Sequence, residues 1–147
     1  MLPESYIKQV QTKIVRLLRF GPHAHQPLRV LTQNNSYEVA KLLGYWIIEK
    51  FSTAKAYLAK GRLPGHIFHT VLVVEEDGEF WVLDSSIWKF FQNKRSMLVG
   101  KADSLEKAML MITRAYTGKW QVGEKLTRSH IKAHELELIH LIKEMSK

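Results

Sequence analysis

Ser36, His69 and Asp84 are the residues of this chain whose types and order suit acyl transfer. An imidazole takes a proton from a hydroxyl or thiol, and a carboxylate behind it holds one tautomer and stabilises its charged form. A nucleophile at a helix N-terminus also meets unpaired backbone N–H groups and the positive end of the helix dipole, which favour an anion there. The 147 residues include no cysteine, so the nucleophile candidate is a serine, a weak one without strong activation. Each residue has an ordinary structural role as well. Serine favours helix starts, histidine occurs in strands, and an aspartate before Ser85-Ser86 suits a turn. What distinguishes the three is their order and the elements that carry them.

Those elements are legible in the residue pattern. Phe68–Val74 is dense in apolar and β-branched residues, Asp77-Gly78 is a hairpin turn signal, and Phe80–Asp84 is the returning strand. The pattern predicts an antiparallel hairpin of residues 67–75 and 79–85, central in its sheet with both faces covered. A tight turn at 75–79 pairs residues whose numbers sum to about 154 and sets His69 beside Asp84 at one end of the sheet. A helix is predicted from Ser36, with Asn35 and Glu38 as a capping pair and Ala40, Leu43, Ile47 and Phe51 as its apolar stripe. If the three side chains converge, the Ser36 oxygen should lie within about 4 Å of an imidazole nitrogen.

These residues resemble the transglutaminase-like and papain-like thiol enzymes, a group that includes papain-fold bacterial toxins and protein-glutamine deamidases. Their order is a cysteine opening a helix, a strand, a histidine on a second strand and an aspartate on a third. The matching stretches are Asn35–Ala40, Ala54–Gly61, His69–Val74, Gly78 and Phe80–Asp84, within about residues 30–90. Phe80 holds the family's tryptophan position, with Trp81 one residue late. The resemblance implies a strand at 54–59, which by its residues alone also suits a helix extension. It places the catalytic roles on Ser36, His69 and Asp84, and offers Gln33, Asn34 and Asn35 as oxyanion or substrate-binding side chains. The family's cysteine falls on Ser36. Three origins fit: a substitution for a natural cysteine, a natural hydroxyl nucleophile, or a natural pseudoenzyme that binds without turnover.

What the resemblance implies is a cysteine-protease-fold enzyme acting on protein amides, as peptidase, glutamine deamidase or transglutaminase, inactive with serine at position 36. The implied partners are a protein or peptide substrate and an immunity or inhibitor protein. No cofactor and no metal site are implied. A non-catalytic binding module of the same fold is the alternative.

The flanking sequence predicts helices over 4–20, 103–117 and 127–145 around a core of about residues 30–100. Asp103 and Glu106 resemble a capping box, and Ile131, His134, Leu138, Leu141 and Met145 share one face of the last helix. Residues 21–35 read as a loop with a short extended piece at Leu28–Leu31, Gly61–Gly65 as a second loop, and Met97–Val99 as a short strand. The whole is one α+β domain, a small antiparallel sheet packed with helices.

Hydrophobic residues at 46% and charged residues at 24% exclude a disordered tail and a rod. The lack of cysteine excludes a disulfide framework, a zinc finger and an iron–sulfur site. No apolar run is long enough to span a membrane, and Lys8, Lys13, Arg16 and Arg19 break any signal-peptide core, so a cytoplasmic place or a non-classical secretion route is expected. The net charge of +8 is uneven: residues 1–65 hold ten Lys and Arg against three Glu. A basic half suggests an acidic partner, whether nucleic acid, a membrane surface or an acidic protein, while basic residues set singly also suit an ordinary solvated surface. Nucleic acid is the lesser alternative, requiring one exposed face from Lys8, Arg16, Arg19, Lys41, Lys55, Lys60 and Arg62. His23 and His25 could bind a metal but lie in a loop between Pro22 and Pro27 with no nearby carboxylate, and His130 and His134, with Glu135 adjacent, lack the zincin order.

Overall fold

The computed structural model describes residues 2–146. Its elements in chain order are α1 (Glu4–Leu18), α2 (Leu28–Leu31), α3 (Ser36–Lys50), β1 (Lys55–Leu63), β2 (Ile67–Glu76), β3 (Glu79–Leu83), β4 (Leu98–Ala102), α4 (Leu105–Tyr116), β5 (Lys119–Lys125) and α5 (Ile131–Met145), with a 3-10 turn at Ile87–Lys89. The strands form one antiparallel sheet in the order β4-β3-β2-β1-β5, and the fold class is α+β.

Strand alternation divides the core into two layers. Ala56, Leu58, Leu72, Val74, Trp81 and Leu83 face α1, α3 and α5, meeting Val10, Ile14, Val39, Leu43, Ile47, Leu138 and Ile142. Ala59, Leu63, Val71, Val73 and Val82 face α4, meeting Ala108, Ile112 and Tyr116. The β2–β3 hairpin is therefore central and covered on both sides. Its turn is built on Asp77 and Gly78, both at positive φ (52° and 77°), the conformation that matches strand twist in a two-residue hairpin.

The register differs from the sequence expectation by one residue, and the difference matters. Leu72 pairs with Leu83 and Val73 with Val82, so paired numbers sum to 155, because Glu76 opposite Glu79 leaves two residues in the turn. A one-residue slip changes which face each side chain takes. A sum of 154 would have put His69 and Asp84 on opposite faces. The observed register puts both on the α4 face, with Val71, Val73 and Val82.

Other expectations are corrected. Leu28–Leu31 is a single helical turn behind Pro27, not an extended piece. β1 runs through Gly61 to Leu63, where a loop was expected, and Lys119–Lys125 forms a strand that the sequence did not signal. The N-cap of α4 is Ser104, whose hydroxyl accepts from the Lys107 N–H, while Asp103 pairs with the Lys107 ammonium. On α5 the buried positions are Glu135, Leu138 and Ile142, and Leu141 and Met145 are exposed, because the packing stripe is offset from the one expected. No helix among the described residues is long and apolar enough to cross a membrane. The seven basic residues do not make one face: Lys55 and Lys60 leave β1 on opposite sides, and Lys41 and Lys55 are paired with Glu124 and Glu75.

Candidate active site

His69 and Asp84 are brought together where β3 leaves β2. The β2–β3 ladder stops at Leu72 and Leu83, and the Asp84 N–H is taken by the Met97 carbonyl at 2.8 Å, so the chain turns away just as the aspartate arrives. Asp84 Oδ1 accepts the Ser86 N–H at 2.8 Å, the local turn that its sequence setting predicts. Asp84 Oδ2 lies 2.8 Å from His69 Nε2. Both side chains are fully buried. A carboxylate accepts, so His69 Nε2 carries the proton and donates. Nδ1 is left buried with no hydrogen-bond partner among the described residues. In the neutral imidazole that nitrogen keeps its lone pair and can accept a proton.

Aromatic rings fix the imidazole. Phe90 meets it edge-on with centroids 4.7 Å apart, Tyr116 lies at 5.4 Å and Trp120 at 6.1 Å. The Trp120 contact follows from sheet register. His69, Gly61 and Trp120 are partners in one row across β2, β1 and β5. A Cβ at Gly61 would sit 2.4 Å from the indole, so only glycine lets Trp120 lie across β1 and reach the imidazole on the next strand.

Tyr116, buried at the end of α4, is a member of the site that the sequence did not single out. Its hydroxyl donates to Asp84 Oδ2 at 2.5 Å, sharing that oxygen with His69. Burial first, and then the Asp84 charge, push the phenol well above its ordinary value of 10, so it stays a donor. Its signal was indirect, since a tyrosine on a helix's apolar face needs a partner for its hydroxyl. In Tyr116→Phe, Oδ2 serves His69 alone, and the imidazole Nε2 proton resonance should move downfield. The carboxylate loses a charge-assisted hydrogen bond, at a cost of about 1.5–3 kcal/mol. The pH profile should change as well. A phenol raised in the folded state keeps its stabilising effect below pH 10 and loses it above, where the unfolded chain ionises. The alkaline loss of stability should therefore be smaller in Tyr116→Phe, though not absent, because burial also raises Tyr6 and Tyr45.

Ser36 opens α3 and lines the same cleft as His69, a hollow of about 580 Å³. With β3 no longer beside it, Thr70 donates its backbone N–H to Ser36 Oγ at 3.2 Å. Strand N–H groups point in the plane of the sheet, so the hydroxyl meets β2 edge-on, between the layer that α3 covers and the layer that holds the imidazole. No hydrogen bond joins Ser36 to His69 in this structure.

Gln33 and Asn34 are exposed and line the cleft. Asn35 does not line it. Its side chain is buried and donates to the Leu31 carbonyl at 2.8 Å, closing the turn of α2 instead of capping α3. His66, in the turn before β2, lines the cleft rim and contacts Arg62. A larger hollow of about 870 Å³ lies along β4 and α4 and holds none of Ser36, His69 or Asp84. Among the described residues no three His, Asp or Glu side chains gather to hold a metal.

No protein-family model, curated protein or solved structure matches this chain. What the site does is read from its geometry.

Proposed function

We propose that this domain carries the frame of a thiol-dependent acyl-transfer enzyme of papain-like or transglutaminase-like kind, silent with serine at position 36. One observation supports the reading above the others: a fully buried His69–Asp84 pair leaves Nδ1 unpartnered behind a cleft that a helix N-terminus also faces. Most buried polar groups have a partner, so an imidazole nitrogen left without one at the wall of a cleft suits a group that meets a substrate. The Thr70 N–H supplies a donor to the atom at position 36, as an anionic nucleophile there requires.

With a thiol at position 36, His69 Nδ1 takes its proton, and the sulfur attacks the carbonyl carbon of a substrate amide. The carbon–nitrogen bond breaks as the imidazolium proton passes to the leaving ammonia or amine. Water, losing a proton to Nδ1, or a second amine then attacks the thioester and returns the thiol. Asp84 orients the imidazole and balances its charge, and Gln33 or Asn34, both lining the cleft, donates to the oxyanion.

The test is turnover. Ser36→Cys should release ammonia from glutamine-containing proteins, or cleave them, where the parent chain and Ser36→Cys with His69→Ala do neither. Inactivity on a broad panel of unfolded proteins, with normal folding, would overturn the reading.

A second reading has its own observation. The Ser36 hydroxyl is engaged by Thr70 and not by His69, which suits a module that binds without turnover. A thiol at position 36 that is no more reactive than a free one would favour it.

A further inference from the structure

The rim of the cleft carries a second pattern, in the residues that precede His69. Phe68 is 69% exposed and Ile67 is 40% exposed, although both sit in a strand whose remaining apolar residues are buried. Both line the cleft. An aromatic ring held this open on a β-strand, immediately before a buried histidine, adds little to the core of this chain.

Charge at the same rim is unbalanced. Lys60 and Lys89 line the cleft, and neither has a carboxylate partner among the described residues; each ammonium lies instead near an aromatic ring, Tyr37 at 4.8 Å and Phe90 at 5.4 Å. Arg62 lies 6.0 Å from the Phe68 ring and contacts His66. Five lysines elsewhere are paired, Lys41 with Glu124, Lys55 with Glu75, Lys101 with Glu4, Lys107 with Asp103 and Lys132 with Glu49, while Lys8, Lys13, Lys50, Lys94, Lys119, Lys125 and Lys143 have no carboxylate partner among the described residues either; what sets the rim apart is that two such lysines share a cleft with an open apolar ring. Glu38 is the one carboxylate lining the cleft. Cations left unanswered around an open apolar ring complement a ligand that is apolar at one point and acidic on either side.

We infer that the Ile67–Phe68 shelf with Lys60 and Lys89 is a docking surface for an extended segment of a protein substrate that carries an apolar side chain flanked by acidic residues. This rests on the acyl-transfer reading for its orientation. The apolar residue seats on Phe68, the acidic residues meet the lysines, and the target amide then lies over the cleft between Ser36 and His69. Burying the exposed ring supplies affinity, while the rim lysines act on selectivity and on encounter rate more than on tightness.

The experiment uses the chain with Ser36, which does not consume its ligand under this reading. Two fluorescein-labelled peptides with a central leucine and glutamine, one rich in glutamate and the other with lysine at the same places, are titrated by fluorescence anisotropy at low salt. The acidic peptide should bind at least about tenfold more tightly, with the preference fading as salt rises. Phe68→Ser, at an exposed position that leaves the core intact, should weaken it about fivefold to tenfold. Lys60→Glu combined with Lys89→Glu should reverse the preference. Equal binding of the two peptides, or an unchanged affinity in Phe68→Ser, would overturn the docking surface. The two readings fail separately. A reactive thiol in Ser36→Cys with no peptide selectivity would sink the docking surface alone, and selective binding with an inert thiol would sink the enzyme reading alone.

Discussion

In a Ser36→Cys variant, the thiol should react with iodoacetamide near neutrality roughly tenfold faster than a free thiol. A free thiol, with pKa about 8.5, is only about 1% thiolate two pH units lower. A thiol held mostly as thiolate gains nearly a hundredfold in reactive fraction, and the lower basicity of that thiolate returns part of the gain. Three features of the fold favour the anion at position 36: the start of α3, the Thr70 N–H at 3.2 Å from the side-chain atom, and the imidazole behind the cleft. The measurement has no background, because the chain contains no other cysteine. His69→Ala should remove most of the enhancement, since the proton acceptor and positive partner are lost. A rate equal to that of a free thiol, indifferent to His69→Ala, would reduce the site to a structural arrangement.

The second large effect is on stability. Asp84→Ala should destabilise the domain by about 3–5 kcal/mol, the usual result of removing one partner from a fully buried pair. The loss is compound: His69 Nε2, the Tyr116 hydroxyl and the Ser86 N–H all donate to this carboxylate. For a domain of this size the melting temperature should fall by about 10 °C or more. Asp84→Asn separates stability from chemistry. It keeps the side chain's volume and an oxygen for Ser86, but sets an amide N–H₂ where two donors point. His69 can adapt by moving its proton to Nδ1, which removes the lone pair that the chemistry needs. Asp84→Asn combined with Ser36→Cys should therefore melt closer to the parent than Asp84→Ala does, yet lose the thiol's enhanced rate. Equal melting losses in the two variants would show that the carboxylate's charge is not what the buried donors require.

Local pattern carried much of this fold. The β2–β3 hairpin could be read because apolar density and the Asp77-Gly78 turn are short-range signals, and α3 because its apolar residues recur at helical spacing. β5 could not. Lys119–Lys125 alternates with little burial, and it is a strand because β1 offers it an edge and Trp120 packs across Gly61. Gly61 itself read as a loop residue for the same reason: an isolated glycine looks like punctuation until the ring that needs the missing Cβ is known. Asn35 looked like a cap, but the carbonyl that captured its side chain belongs to a helical turn that the sequence read as extended.

The sequence by itself determined the order of the three candidate residues, the elements that carry them, the α+β class and the basic first half, because each depends on residue type and near-neighbour spacing. The tertiary structure decided the rest. It set the register that puts His69 and Asp84 on one face, a matter of a single residue that a turn signal leaves open. It supplied Tyr116 from a helix far along the chain, which no spacing rule relates to Asp84. It also turned the Ser36 hydroxyl to the Thr70 N–H, because the departure of β3 leaves that donor free at the edge of β2 and a buried N–H takes the nearest acceptor.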